Sequence, residues 1–255
     1  MRIAGAVLAA MLLAACSAST PVSPVESATK ENLGLMTSLP ILWSGNDAFA
    51  ALADGEEVQP HWAVATLDRA YRIDPLDALS PEALQRTDVL LLAQPRVLAP
   101  AENVALDEWV RAGGRVLLLA DPKLVGDYDF PLGDPRRPMD TAMLSPILAR
   151  WGLELLHDPA AARLRTVSLG EAEMAVADGG SFRLTPADGA TCRLMLDALA
   201  ASCAVGSGHV VLLADATLLE DPVGGEGSPA ALRALLGMTR ENGPESTRET
   251  AGTDR

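Results

Sequence analysis

The chain has 255 residues, enough for one large domain, and aromatics make up only 4%, so aliphatic side chains must supply the core. A formal charge of -14 argues against nucleic-acid binding, which needs a basic face, and disfavours charge-driven docking on anionic lipid headgroups. Beyond the N-terminus, no segment is apolar for long enough to span a bilayer.

Residues 1–15 read as a processing signal: Arg2, an apolar run over 3–12 too short to cross a membrane, then Leu13-Ala14-Ala15-Cys16. That tetrapeptide resembles the bacterial lipobox. The resemblance implies cleavage before Cys16 and acylation of its thiol and new amine, palmitate included. Several acyl chains, at about 0.8 kcal/mol per buried CH₂, give stable anchoring. Ser17 stands where an inner-membrane retention signal would place aspartate, which slightly favours the outer membrane. The expected location is the periplasm-facing cell envelope.

Residues 16–37 are rich in Ser, Thr, Pro and Ala and read as a tether. A single α/β domain is expected over 38–240. Its first strand is expected at 39–43, followed by a Ser44-Gly45-Asn46-Asp47 turn that caps a short helix at 48–53. A second strand is expected within 62–72, then a loop over 74–81 and a helical turn at 81–86. Residues 88–121 carry the clearest pattern. Residues 89–93 and 116–120 are apolar without alternation, as strands buried on both faces of a parallel sheet read. Between them Pro100 opens an amphipathic helix. Its apolar face carries Ala101, Ala105, Leu106, Trp109 and Val110, and its polar face Glu102, Asn103, Asp107, Glu108 and Arg111. Gly113 and Gly114 end it. Strand, helix, strand with short loops is a βαβ unit with a right-handed crossover.

A long excursion follows over 124–140, and excursions of that length in a compact domain are usually functional. A helix is expected at 141–151 and a strand at 152–156. Short strands then run through 163–205, read as a β-meander inserted into the α/β sheet or added at its edge. Cys192 and Cys203 face each other if 196–199 turns a hairpin. They then form a structural disulfide in an exported protein, or remain two buried thiols. Residues 208–215 echo 114–121: Gly, one polar residue, a buried run, a terminal Asp. A closing helix is expected at 229–238, and 241–255 as a disordered tail.

Ligands of open α/β sheets bind outside the carboxyl ends of the strands. The candidates there are Ser44, Asn46, Gln94, Asp121 and Asp215, with Arg136 and Arg137 from the excursion. Asp121 and Asp215 could hold Mg²⁺, or accept backbone N–H bonds in turns, the reading preferred here. Arg136 and Arg137 could bind a carboxylate or phosphate, or be solvated loop residues. No nucleophile elbow, P-loop, dinucleotide fingerprint or zinc spacing is present, and no cofactor is expected.

The helix before 112–121, AGGRVLLLAD, and the late GSGHVVLLADATLLED resemble the class I glutamine-amidotransferase-like domain. The resemblance is to its non-catalytic branch, the periplasmic auxiliary domain of gliding-motility-type ABC transporter systems. It covers roughly residues 39–221 and implies a flavodoxin-like, mostly parallel sheet with helices on both faces. True amidotransferases carry a cysteine after the equivalent strand, whereas this chain has Asp121-Pro122. Transporter-linked members typically bear transmembrane helices, whereas this chain carries a lipidation signal. The function expected is a non-enzymatic accessory or binding domain, partnered by the membrane, an ABC complex or other envelope proteins. The alternatives are a periplasmic metal-dependent hydrolase using the strand-end aspartates, and a structural envelope lipoprotein.

Overall fold

The computed structural model describes residues 29–42, 61–126, 128, 130–131, 133–134, 136–157, 159, 164–220 and 227–240. Cys16, Ser44 and Asn46, the helix expected at 48–53 and the tail at 241–255 lie outside them.

The continuous apolar runs form the centre of the sheet. Strands β3 (Val89–Ala93), β4 (Arg115–Leu119) and β11 (Gly208–Leu213) are buried almost throughout. With β1 (Glu31–Thr37), β2 (Tyr71–Pro75), β9 (Ala190–Met195) and β10 (Ala200–Val205) they make a seven-stranded sheet ordered β2-β1-β3-β4-β11-β10-β9. The first five strands are parallel, in the flavodoxin-like order. β10 and β9 add antiparallel to β11.

Helix α3 (Pro100–Arg111) links β3 to β4. Glu102 accepts the Ala99 N–H at 2.7 Å at its start. At its end Gly113 takes φ +118°, and a Cβ on Gly114 would lie 2.4 Å from the Trp109 ring, so only glycine fits. Helices α1 (Trp62–Asp68) and α5 (Ser228–Met238) pack together, while α2 (Pro81–Gln85), α3 and α4 (Ser145–Arg150) pack in a row. Right-handed crossovers in a 2-1-3-4 order place the two groups on opposite faces.

Several expectations are corrected. The first strand is Glu31–Thr37, inside the expected tether, and not 39–43. Leu33, Leu35 and Met36 are buried, and Gly34 lets Leu76 and Thr87 close on the strand. Leu39 and Ile41 are also buried, but in a turn: the Thr37 hydroxyl accepts the Leu39 N–H, and Pro40 has no N–H for a ladder. Residues 62–68 are helix, with only Tyr71–Pro75 as strand; Ala63, Thr66 and Leu67 recur at helical spacing on the buried side, and the His61 ring accepts the Ala63 N–H. Helix α4 starts at Ser145 and not near 141, because Pro146 suits only a first turn and the Ala142 N–H is already donated to the Asp121 carbonyl.

The expected meander is three separate structures. β6 (Leu164–Leu169) and β7 (Ala172–Ala177) form their own hairpin, and β7 packs on α5. β8 (Ser181–Leu184) pairs with β5 (Leu153–Leu156), which therefore lies outside the main sheet. Only β9 and β10 extend the central sheet. β10 is buried along its length, whereas β6 and the edge strand β9 bury no residue fully. Cys192 and Cys203 are directly opposed on β9 and β10 and form a disulfide, with Cα atoms 4.0 Å apart.

Candidate functional site

The strand order reverses between β1 and β3, which makes their carboxyl ends the expected ligand crevice. The chain fills it. Gln94, fully buried at the end of β3, has φ +44°, a conformation unusual for a residue with a Cβ. Its carbonyl accepts the Ser38 hydroxyl at 2.5 Å and the Ser38 N–H at 3.2 Å. Its side-chain amide donates to the carbonyls of Met139 (2.7 Å) and Asp121 (3.1 Å), and its side-chain oxygen accepts the Asp121 N–H at 2.8 Å. Met139 returns its own N–H to the Ser38 hydroxyl. The excursion therefore ends inside the crevice.

Asp121 and Asp215 follow β4 and β11, which are adjacent and parallel, and both are fully buried. The Asp121 carboxylate accepts the N–H groups of Lys123 (2.8 Å) and Ala216 (3.2 Å). That of Asp215 accepts the N–H groups of Thr217 (2.8 Å) and Ala177 (3.2 Å) and the Thr217 hydroxyl (3.0 Å). Both carboxylates thus shape turns. Glu220, also buried, holds the excursion by accepting the Gly126 N–H and the Tyr128 hydroxyl on one oxygen. Asp178 pairs with Lys123.

So many acids in one dry cluster cannot all ionise cheaply. Burial pushes the Asp121 carboxyl up to about 7; the N–H bonds from Lys123 and Ala216 pull the other way, and the charges of Glu220 and Asp178 raise it further. Burial, then the Asp121 charge, also lifts Asp215 well above the ordinary carboxylate range. Among the described residues, no group of three or more His, Cys, Asp or Glu side chains is placed to hold a metal ion.

The excursion arginines hold their own loop. Arg136 pairs with Asp134 and lies over the Phe130 ring. Arg137 pairs with Asp140 and donates to the carbonyls of Tyr128 and Phe130. Of the seven sequence candidates, then, Gln94, Asp121 and Asp215 converge at the carboxyl edge through internal bonds, Arg136 and Arg137 bind the excursion, and Ser44 and Asn46 are outside the described residues.

Three features lie outside what the sequence reading identifies. Helical periodicity places Glu102 and Asp107 on the polar face of α3, yet both are buried. Glu102 accepts the Leu79 N–H and both outer nitrogens of Arg96, which together with the Ala99 bond outweigh its burial and hold its carboxyl down to about 2. Ser202 and His209, 2.8 Å apart on β10 and β11, form a buried pair. His209 starts β11, so this pair is remote from the carboxyl edge. The signal for Asp107 was present in principle: Arg111 lies one turn after it, the spacing of a helical ion pair.

An open parallel sheet with packed helices and an antiparallel flank defines a flavodoxin-like α/β domain. The chain belongs to the family described as an ABC-type uncharacterized transport system, whose model matches residues 30–169, more than half of the sequence. That family is an auxiliary component of an ABC-type transport system. Among solved structures, the chain is similar to the mmIFT52 N-terminal domain at 13% identity and TM-score 0.50, over 82% of this chain and 98% of that one. It also aligns with cytoplasmic protein STM1381 from Salmonella typhimurium LT2 (11% identity, TM-score 0.46, 71% of this chain and 86% of that one). A third alignment is with exo-beta-1,4-mannosidase Op5Man5 from Opitutaceae bacterium strain TAV5 (16% identity, TM-score 0.44, 82% of this chain and 35% of that one). At 13% identity the likeness to the mmIFT52 N-terminal domain is one of fold. No curated protein matches the chain.

Proposed function

We propose that this protein is a lipid-anchored, non-enzymatic accessory domain that works with an ABC-type transport complex on the periplasmic side of the bacterial envelope. The observation that carries the non-enzymatic reading is the occupancy of the carboxyl edge. Gln94, Asp121 and Asp215 direct their polar atoms into turns and into the excursion, and Met139 sits in the β1/β3 crevice. A metal-dependent hydrolase would need the two aspartates turned toward solvent.

The Cys192–Cys203 bridge suits an oxidising compartment, and Leu13-Ala14-Ala15-Cys16 supplies the lipid. Family membership supports the transporter partner. No helix of the described residues is long and apolar enough to cross a membrane. In this reading the acyl chains at Cys16 provide the attachment.

In-cell crosslinking of the full chain, followed by identification of its partners, tests this reading. The expected result is recovery of an ABC permease or ATPase subunit, lost when Cys16→Ser releases the protein from the membrane. Membrane fractionation and mature mass unchanged by Cys16→Ser would remove the anchor. Amide or ester hydrolysis that vanishes in Asp121→Ala or Asp215→Ala, with the fold intact, would overturn the non-enzymatic reading.

A further inference from the structure

We propose that a depression between α3, α4 and the turn joining β8 to β9 binds a single carboxylate or phosphate group through Arg111 and Arg150. It lies where α3 ends and the β10–β11 hairpin begins, as the Ser207 N–H to Arg111 carbonyl bond fixes. That is the amino edge of β4 and β11, remote from the crevice at the strands' carboxyl ends. The inference goes beyond the accessory reading and does not depend on it.

The depression has a volume of about 440 Å³ and is lined by Arg111, Ala149, Arg150, Ala187 and Asp188. Pockets for small ligands run from about 300 to 1,000 Å³. Its two guanidinium groups are fixed from behind by one carboxylate. Asp107, only 2% exposed, accepts Arg111 Nε at 3.0 and 3.1 Å. It also accepts Arg150 Nε at 2.9 Å, Arg150 Nη2 at 2.5 Å and the Trp151 indole N–H at 3.2 Å. Arg111 Nη1 donates to the carbonyls of Asp188 and Gly189. Both guanidinium groups are ion-paired to Asp107, and among the described residues no hydrogen bond is made by Arg111 Nη2 or Arg150 Nη1.

These contacts describe a prepared anion site. Two positive charges share one buried negative charge, that of Asp107, and the second carboxylate of the depression, that of Asp188, is exposed, within a chain of formal charge -14. The unused N–H groups belong to planar guanidinium forks, whose geometry matches carboxylate and phosphate oxygens. Asp107 already restrains both side chains, so little ordering entropy remains to be lost on binding. Ala149 and Ala187 leave room beside the forks. The Asp188 carboxylate, exposed and in no ion pair among the described residues, repels extended polyanions and restricts the ligand to one anionic group.

Titration of the full chain at constant ionic strength with inorganic phosphate and, separately, with the monocarboxylate N-acetylglycine tests the proposal. Saturable binding of at least one probe is expected, and the probe that binds better shows whether phosphate or a carboxylate is the natural group. Arg150→Gln should weaken binding at least tenfold, and Asp188→Asn should tighten it by about threefold, as loss of one rim charge requires. Arg183→Gln, which alters an arginine outside the depression, should leave binding unchanged. Among the described residues the Asp188 side chain makes no bond, so Asp188→Asn decides the matter even if Arg150→Gln perturbs the fold. Absence of saturable binding of either probe at tens of millimolar would overturn the proposal. So would binding that Asp188→Asn leaves unchanged or weaker.

Discussion

The two edges of the central sheet hold similar polar inventories and treat them in opposite ways. At the carboxyl edge Gln94, Asp121 and Asp215 are fully buried and bonded to the chain itself. At the amino edge Asp107 is buried, yet the arginines it holds keep N–H groups for solvent or ligand. In an open α/β sheet the carboxyl edge is the usual ligand side. Here it has become a closed structural seam, and the groups left available for recognition stand at the other edge. Strand polarity says where a ligand can bind; the hydrogen-bond inventory says whether anything remains for it.

Among covalent changes to the chain, the largest effect should come from opening the seam. Gln94→Ala removes the side chain that joins Met139, Asp121 and the end of β3 and leaves buried N–H and C=O groups unpaired. A loss of about 2–4 kcal/mol is expected, at 1–3 kcal/mol per stranded polar group. Denaturant unfolding measures it. A change under 1 kcal/mol would mean that the seam is loose or solvated.

The disulfide comes next. It joins β9 to β10 on the antiparallel flank, between the two edges. Its short loop limits the stabilisation to about 3 kcal/mol on the loop-entropy model. Reduction of the purified domain should lower the unfolding midpoint accordingly. Quantitative alkylation of both thiols without reductant would show that the bridge does not form.

The pH response separates the edges more finely. The folded Asp121 carboxyl has its pKa raised to about 7, so the folded state retains a proton that the unfolded chain releases near pH 4. Stability should therefore fall as pH rises from about 4 to about 7, by up to about 1.4 kcal/mol per pH unit for one group, and then level off. Glu102, held down to about 2, acts in the opposite sense: its contribution is present above the ordinary carboxylate range and is lost as pH falls through about 2. At Asp107 the Arg111 and Arg150 bonds and charges outweigh burial and lower the pKa, so the amino edge also loses stability only in acid. Thermal melts should place maximum stability on the acid side of neutrality, and Asp121→Asn should flatten the slope between pH 5 and 7. A midpoint that rises steadily from pH 5 to 8 would refute the raised carboxyl.

The smallest effect concerns the turn after β9, at the carboxyl edge, where Leu196, Asp197 and Ala198 all have positive φ. A left-handed residue with a Cβ costs roughly 1–2 kcal/mol, partly offset on replacement by glycine's greater freedom when unfolded. Ala198→Gly should stabilise by up to about 1 kcal/mol. Destabilisation would show that the turn is held by side-chain packing and not tolerated as strain.

How much of this could be read beforehand depended on the kind of signal. β3, α3, β4 and β11 were legible because runs of buried aliphatics, an N-terminal proline and a glycine stop each have one local cause. Glu31–Thr37 was missed because its leucines are interrupted by Gly34, which serves a close approach that only the folded chain reveals. The strands between 163 and 205 were recognised one by one, but not their partners, because a period of two specifies a face and not a neighbour. Asp121 and Asp215 were found from their place at strand ends, and the preferred reading, that they anchor turns, is what the hydrogen bonds display. Asp107 was placed on the wrong side: helical periodicity assigns a charged residue to water, and only the packing of Trp151 and Arg150 onto α3 reveals its burial.

The closed seam is the central claim, and hydrogen–deuterium exchange at neutral pH tests it most directly. The N–H groups of Lys123, Gly126, Ala177, Ala216 and Thr217 all donate to the buried carboxylates. If the carboxyl edge is a permanent structural seam, they should exchange only by global unfolding, with the protection of the β4 and β11 amides, and adding ligands should not change them. Fast local exchange at these positions, in a protein whose central strands stay protected, would show that the edge opens. The carboxyl-edge aspartates would then return as functional groups.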